Sequence, residues 1–313
     1  MVKFMKDVTI GLFGDFADAG KNIAKKGTST DITLYNHKNG DDSAVFVEPT
    51  RYPERIQPLI YTINMMDYAL VFIDEIKPEI GETLLTLDLF GVEKGFIVVG
   101  EYVDVEQLKG IISNTSMKNF EILEKDYIQI REKMISIPEV EKSSEFIKIP
   151  IDHFFSVKSV GTVILGKVDK GNVSVHDNLR IYPTNNKAMV KSVQVHDRDV
   201  KEAKTNSRVG LSLKGISVED LDRGMILSNG ELEVSDVIEL EMKWNPYMNK
   251  EVAVGEGYQI IVGLQTVSCK IEEKNGNKLK LKLLKPVAFE KGDTFVMLDG
   301  SAKVRIIGIS KYE

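Results

Sequence analysis

The residues that could hold a phosphate lie near the start of the chain, where positions 14–22 read GDFADAGKN. In a loop of the form G-x-x-x-x-G-K-[ST], backbone N–H groups hold phosphates, the lysine reaches the β- and γ-phosphates and the hydroxyl binds Mg²⁺. Here five residues instead of four separate Gly14 from Gly20, and Asn22 follows Lys21 in place of the hydroxyl. The stretch suggests descent from a phosphate-binding loop and predicts weakened nucleotide chemistry.

The rest of the sequence offers no second chemical site. No nucleophile and base are arranged in a pattern typical of covalent catalysis. His153 has no accompanying cluster of cysteines or carboxylates with metal-ligand spacing. We therefore expect no catalytic residue and no metal site. The single cysteine, Cys269, excludes an intramolecular disulfide and favours a reducing compartment.

Composition limits the class of protein. The chain is 42% hydrophobic and 28% charged, which is ordinary for a globular protein. Its net charge of −6 does not indicate steering of nucleic acid by the whole chain, although a local basic patch would suffice for contact. No run of about 18 apolar residues is present, so we expect no membrane helix. The apolar start ends at Asp15, which predicts a first strand instead of a signal peptide and a cytoplasmic location.

Strands and helices alternate from the start of the chain to about residue 140, which predicts a doubly wound α/β domain. The polar segment 139–144 is typical of a linker. The expected strands are 8–13, 31–35, 44–48, 68–73, 96–99 and 120–123, and the expected helices are 55–66, 78–90, 105–112 and 127–137.

Helical periodicity is absent after residue 145. Short β-branched runs recur there between glycine, asparagine and aspartate turns, as in β-barrels. A further segment begins near Leu232 and contains its own hairpin pattern at 274–277. The predicted organisation is an α/β domain over residues 1–140, followed by two β-barrels over 145–230 and 231–313.

The first barrel segment carries the strongest motif. It matches the order D-H-x-F, G-T-V-x-x-G-x-V-x-x-G, D-x-L and P, and the chain resembles the EF-Tu superfamily of translational GTPases, most of all its archaeal SelB-like branch. Ser159 and His176 depart from this pattern, because they stand where the family usually has glycine. The matching residues are Asp152, His153, Phe155, Gly161, Thr162, Val163, Gly166, Val168, Gly171, Asp177, Leu179 and Pro183.

Within residues 1–140 the same resemblance is less complete. Residues 26–31 resemble the switch I motif of the family, and Ser29 matches its Mg²⁺-binding threonine. Residues 47–52 stand where the family has D-x-P-G-H. Glu48 thereby replaces the Mg²⁺-side aspartate, and Tyr52 replaces the histidine that positions the attacking water.

Two positions leave alternatives open. Asp104 is the residue that remains of the guanine-reading motif [NT]-K-x-D, but an aspartate before residue 105 is also a good helix N-cap. Arg51 and Tyr52 either form a remodelled ligand site or are solvated residues ahead of a helix that starts at Pro53.

The resemblance implies a residual nucleotide site and a tRNA-binding barrel. We expect no cofactor, and at most weak binding of GTP or GDP with Mg²⁺. The barrel's basic residues are either an RNA surface or an ordinary solvated face. The residual nucleotide-binding residues are Gly14, Gly20, Lys21, Asn22, Ser29, Glu48 and Asp104. The candidate RNA-contact residues are Lys187, Lys191, Arg198, Lys201, Lys204 and Arg208.

Three functions fit these observations. The hypothesis that we favour is a pseudo-GTPase that keeps the three-domain body and binds tRNA or the ribosome, with no membrane partner. The first alternative is an elongation factor that binds GTP and delivers a special aminoacyl-tRNA. The second is a protein-interaction module that does not bind nucleic acid. The sequence leaves the oligomeric state open.

Overall fold

The computed structural model describes residues 6–15, 18–40, 42–140, 144–248 and 250–313. The chain forms two compact units, Met1–Val140 and Glu141–Glu313, called unit 1 and unit 2 below. None of the described helices is both long enough and apolar enough to cross a membrane.

Unit 1 is built on a seven-stranded sheet in the order β2-β3-β4-β1-β5-β6-β7. The strands from β4 to β7 in this order run parallel, and β2 and β3 add an antiparallel edge. The strands are β1 (Asp7–Gly14), β2 (Lys25–Ser29), β3 (Thr33–Asn39), β4 (Asp42–Glu48), β5 (Tyr68–Ile73), β6 (Gly95–Val99) and β7 (Glu121–Leu123). The helices are α1 (Ala19–Ile23), α2 (Gln57–Met65), α3 (Pro78–Leu89), α4 (Val105–Ile112) and α5 (Tyr127–Ser136).

The central strand β5 of unit 1 is apolar along its whole length, as is typical of a parallel sheet that helices cover on both faces. Every residue of Tyr68–Ile73 is buried. The doubly wound α/β prediction for this part is confirmed. Some details differ from the sequence prediction. The helix α2 begins at Gln57 instead of Arg55 or Pro53, with Pro58 in its first turn. The strand expected at 31–35 is Thr33–Asn39, and Lys25–Ser29 forms a strand that the sequence did not indicate.

Unit 2 contains two larger β-sheets and a short two-stranded one, β10-β14. The first sheet has the order β11-β16-β8-β9-β15-β12-β13, and an additional β11–β12 pairing closes it into a barrel. Its elements, with a 3-10 helix at Val218–Asp220, are β8 (Lys148–Val157), β9 (Gly161–Lys167), β10 (Val173–Ser174), β11 (Asn178–Tyr182), β12 (Asn186–Val195), β13 (Arg198–Val200), β14 (Glu202–Ala203), β15 (Arg208–Lys214) and β16 (Ile226–Ser228).

The second large sheet has the order β17-β21-β20-β19-β22-β23-β18 and forms a half-barrel, since no pairing between the end strands β17 and β18 is present among the described residues. Phe289, Phe295 and Tyr312 pack edge to face in its core. The predicted all-β part is thus confirmed. The strands are β17 (Glu233–Glu241), β18 (Lys243–Trp244), β19 (Gly257–Val262), β20 (Gln265–Asn275), β21 (Lys278–Phe289), β22 (Thr294–Leu298) and β23 (Ile306–Lys311).

Glycines of the barrel motif occupy positions that other residues would strain. Gly171 has φ +68, and a Cβ there would lie 2.7 Å from the carbonyl oxygen of Phe146. Ser159 and His176, which replace glycines of the pattern, have φ 70 and 77. Both therefore adopt the left-handed conformation that glycine accepts at lower cost.

Candidate functional site

The phosphate-loop remnant begins where β1 ends, at Gly14, and leads into a helix of only five residues, Ala19–Ile23. Residues 16 and 17 of the loop lie outside the described residues. The N–H of Asn22 donates to the carbonyl oxygen of Asp18 (3.0 Å). Such a short helix has a small macrodipole, so it offers little of the positive field that normally favours phosphate.

Lys21 is engaged by its own loop. Its Nζ lies 2.5 Å from Oδ1 of Asp18, and both side chains are exposed. The hydrogen bond with Asp18 raises the pKa of Lys21. The lysine that would have to reach a phosphate group is therefore already paired with the carboxylate of Asp18. This carboxylate also adds negative charge to the loop.

Tyr35 contacts two of the predicted nucleotide-binding residues, Gly20 and Glu48. The ring of Tyr35 packs against Gly20, where an added Cβ would lie 2.3 Å from the ring. The hydroxyl of Tyr35 donates to Oε2 of Glu48 over 2.6 Å. Burial, followed by the interaction with Glu48, raises the pKa of Tyr35. The carboxylate that matches the Mg²⁺-side position therefore already accepts a hydrogen bond from a protein side chain.

Ser29 belongs to a chain of hydroxyl groups at the end of β2. Its Oγ lies 2.9 Å from Oγ1 of Thr33, which lies 2.5 Å from Oγ1 of Thr50. The hydroxyl that matches the Mg²⁺-binding threonine is thus hydrogen-bonded within the protein.

Asp104 caps helix α4. Its Oδ1 accepts from the N–H groups of Glu106 (2.9 Å) and Gln107 (3.1 Å). This is the N-cap geometry that the sequence offered as the alternative to guanine recognition. Asp104 follows β6, two strands away from β1 in the sheet.

Arg51 and Tyr52 are held by neighbouring helical and turn residues. The hydroxyl of Tyr52 donates to the carbonyl oxygen of Glu79 (2.7 Å) and to Oε2 of Glu82 (3.1 Å). The exposed Arg51 lies 3.2 Å from Oε2 of Glu54. The structure therefore places Gly20 against the ring of Tyr35 and Glu48 at its hydroxyl, while Tyr52 is hydrogen-bonded to α3.

The candidate RNA residues of unit 2 do not all share one environment. Lys187 and Lys191 lie on β12 and Arg198 on β13, and all three are exposed. Lys201 and Lys204 are also exposed, between and after the short strands that follow. These five side chains are within reach of solvent, as phosphate contact requires.

Arg208 is an exception and corrects the sequence prediction. Its guanidinium binds both oxygens of Asp152, over 2.5 Å and 2.8 Å, and Asp152 is buried. Burial alone would raise the pKa of Asp152, but the charge and hydrogen bonds of Arg208 hold it below its ordinary value. Arg208 therefore neutralises a buried carboxylate and is not free for RNA.

A surface that the sequence did not single out lies across the neighbouring strands β8, β9, β15 and β12. Phe155 pairs with Val163, and Val163 pairs with Ser212. Phe155 is 43% exposed, and the buried Oγ of Ser212 has no hydrogen-bond partner among the described residues. Nζ of Lys191 donates to the carbonyl oxygen of Val160 (3.3 Å) at the adjoining hairpin. We call these five residues the barrel face.

Comparisons with known proteins agree with this architecture. Residues 161–228 match the family model described as elongation factor Tu domain 2. The uncharacterized protein MJ0325 of Methanocaldococcus jannaschii is 64% identical over 98% of this chain and 100% of its own length. The selenocysteine-specific elongation factor of the same organism is 30% identical, over 85% of this chain and 66% of its own length.

Two further matches are more distant. Elongation factor 1-alpha of Pyrobaculum calidifontis is 25% identical over 77% of this chain, which spans 58% of that protein. The crystal structure of SelB from Methanococcus maripaludis, in complex with the GTP analogue GppNHp, has a TM-score of 0.85 and 22% identity over 99% of this chain and 80% of SelB. That likeness is one of fold.

The fold and these matches define a class of protein, the translation elongation factor homologues of the EF-Tu type. The chain belongs to this family, is related to the selenocysteine-specific elongation factor, and matches the uncharacterized protein MJ0325 over 98% of this chain.

Proposed function

We propose that this protein is a pseudo-GTPase, an elongation factor homologue that binds tRNA or the ribosome without a nucleotide switch. In this account unit 1 keeps the fold and has lost the phosphate and Mg²⁺ chemistry. Unit 2 provides the binding surface. Hydrolysis of GTP is not expected, since it requires the lysine and the hydroxyl to act together on a positioned nucleotide.

The observation that carries this proposal is the hydrogen bonding of Lys21 and Glu48. Lys21 is paired with Asp18, and Glu48 accepts from Tyr35. A nucleotide phosphate would have to compete with Asp18 for Lys21, and a bound Mg²⁺ would have to share the carboxylate of Glu48 with Tyr35. Because the Lys21–Asp18 pair is exposed, it adds little to stability, but the carboxylate of Asp18 would repel a phosphate group placed at this lysine.

The barrel face supports the RNA-binding part of the proposal. An exposed aromatic ring provides a stacking surface for an unpaired base, and lysines provide phosphate contacts. Phe155 and Lys191 supply these two groups on neighbouring parts of one sheet.

A titration with a fluorescent GTP analogue, with and without Mg²⁺, tests the loss of nucleotide binding. We expect no saturable binding up to about 1 mM, which corresponds to about −4 kcal/mol. SelB of Methanococcus maripaludis is the positive control, because it has been crystallised with GppNHp. Micromolar Mg²⁺-dependent binding that Lys21→Ala abolishes would contradict the proposal and support a GTP-dependent elongation factor.

Fluorescence anisotropy with labelled tRNA tests the second part. Phe155→Ala should weaken binding by about 5- to 150-fold, the effect of losing one stacked base. Lys191→Gln should reduce the salt slope by about one phosphate contact. Lys311→Gln, on β23 of the other sheet, is the matched control and should change neither quantity. Absence of salt-dependent binding would instead favour a protein-interaction module.

A further inference from the structure

Large apolar side chains are exposed at one edge of the sheet of unit 1. Among its described residues four such side chains are exposed, and three of them lie beyond the carboxyl ends of the parallel strands. They are Ile76, Tyr102 and Ile128, which are 39%, 90% and 60% exposed. The fourth, Ile111, lies at the far end of α4.

The three side chains belong to neighbouring segments. Ile76 follows β5, Tyr102 follows β6, and Ile128 lies in the first turn of α5 after β7. These strands are consecutive in the sheet, and adjacent strands are about 4.8 Å apart. The three segments therefore present one surface about two strand spacings wide, which we call the apolar edge.

Carboxylates surround the apolar edge. The loops after β5, β6 and β7 contain six acidic residues and two lysines among the described positions, and Asp15, which contacts Lys77, adds a seventh carboxylate. Nζ of Lys77 lies 3.4 Å from Oδ2 of Asp15 and 3.3 Å from Oε2 of Glu75, so this cation is already shared by two carboxylates. The acidic residues are Asp15, Asp74, Glu75, Glu101, Asp104, Glu124 and Asp126.

We propose that the apolar edge binds a cationic segment of a partner protein, in which lysine or arginine residues flank a large apolar side chain. The apolar side chain packs on Tyr102 and Ile128, and the flanking cations face the carboxylates. A ring as exposed as that of Tyr102 also offers its face to a lysine or arginine.

Charge selects this kind of partner over a nucleic acid. Nucleotides and RNA are polyanions, and like charges placed together at a surface cost binding energy. An isolated cation would be attracted but would gain nothing from the exposed apolar groups. A cationic polypeptide with one apolar anchor satisfies both parts of the surface, as interface anchors commonly do. The inference rests on the proposed function only in requiring that no nucleotide covers this edge.

The test uses the full-length protein and a short fluorescent peptide of alternating lysine and phenylalanine. Its controls are the peptides with lysine replaced by glutamate and with phenylalanine replaced by serine. We expect saturable binding of the first peptide and at least tenfold weaker binding of both controls. The double variant Tyr102→Ser, Ile128→Ser should weaken binding at least tenfold. The control Ile111→Ser also replaces an exposed apolar side chain, but one outside the apolar edge, and should leave binding unchanged.

Two results would overturn the inference: no binding of the lysine–phenylalanine peptide, or binding that the double variant does not weaken more than Ile111→Ser does. Thermal melts of the variants exclude misfolding as the cause of a loss. The GTP analogue is titrated separately. If it binds without displacing the bound peptide, the proposed pseudo-GTPase function fails and the docking surface stands; if it displaces the peptide, both fail.

Discussion

The first barrel of unit 2 and the strand ends of unit 1 have kept different parts of the EF-Tu pattern. In the barrel, glycines that match the family pattern lie where the backbone favours glycine. Gly171 and Gly224 both have positive φ, and backbone atoms of other segments lie close to both. In unit 1 the matching positions have acquired new partners, such as Asp18 for Lys21 and Tyr35 for Glu48. The difference suggests that barrel geometry matters for the function of this protein and that phosphate geometry does not.

The largest effect expected from this comparison is at the buried ion pair of the barrel. Arg208→Met leaves the carboxylate of Asp152, only 2% exposed, without its cation. We expect unit 2 to lose about 3–5 kcal/mol of stability. The sole tryptophan, Trp244, lies in unit 2, so its fluorescence in a urea titration reports this loss.

Lys21→Met is the matched replacement in unit 1. Since the Lys21–Asp18 pair is exposed, its removal should leave the unfolding midpoint unchanged. A stability loss as large as that of Arg208→Met would contradict this prediction. It would show that the Lys21–Asp18 pair of the phosphate-loop remnant stabilises unit 1.

Acid should weaken unit 2 through a second ion cluster. The buried Lys148 lies 2.7 Å from Oε1 of Glu290, and Lys170 lies 2.7 Å from Oε2. Burial alone would raise the pKa of Glu290, but these hydrogen bonds and charges hold it below its ordinary value of 4.5. The unfolded state therefore takes up the proton first as the pH falls, and stability decreases below about pH 4.5.

The pH dependence has its own control. Lys148→Met removes one of the two cations that lower the pKa of Glu290, so the stability of this variant should vary less between about pH 5 and pH 3. An unchanged slope in the Trp244 urea transitions would assign the acid sensitivity to other carboxylates.

A smaller effect is expected at Asp104. Asp104→Ala removes the N-cap of α4 and should cost about 1 kcal/mol, read from helical circular dichroism. Asp126→Ala is a matched case, because Asp126 caps α5 with the same two-bond geometry. Equal losses, with no change in the GTP-analogue titration, would agree with capping. A loss of nucleotide affinity specific to Asp104→Ala would instead support guanine recognition.

The smallest expected change in stability is at a position where this chain has serine and the family usually has glycine. Ser159→Gly should stabilise unit 2 by about 0.5–1 kcal/mol, since Ser159 has φ 70 and glycine accepts this conformation without steric cost. Ser156→Gly, in the extended backbone of β8, should have the opposite sign. If both replacements stabilise unit 2, or if neither does, the positive φ of Ser159 is not the reason that glycine is favoured at this position.

Sequence reasoning succeeded where a local pattern determines the structure. The apolar run Tyr68–Ile73 and the glycine-spaced strands of the barrel predicted buried and barrel strands. It was less successful where contacts are made across the chain. Nothing local in Arg208 distinguishes it from the exposed Lys191, because its partner Asp152 is 56 residues away. The contact of Tyr35 with both Gly20 and Glu48 is likewise visible only in three dimensions.

The most direct test of the central claim is the affinity of the full-length protein for tRNA measured without nucleotide, with Mg²⁺–GDP and with Mg²⁺–GTP. The account predicts one dissociation constant in all three conditions, and the same weakening by Phe155→Ala in each. A change of tenfold or more between GDP and GTP, which corresponds to about 1.4 kcal/mol of coupling, would contradict it. The protein would then be a working nucleotide-dependent switch.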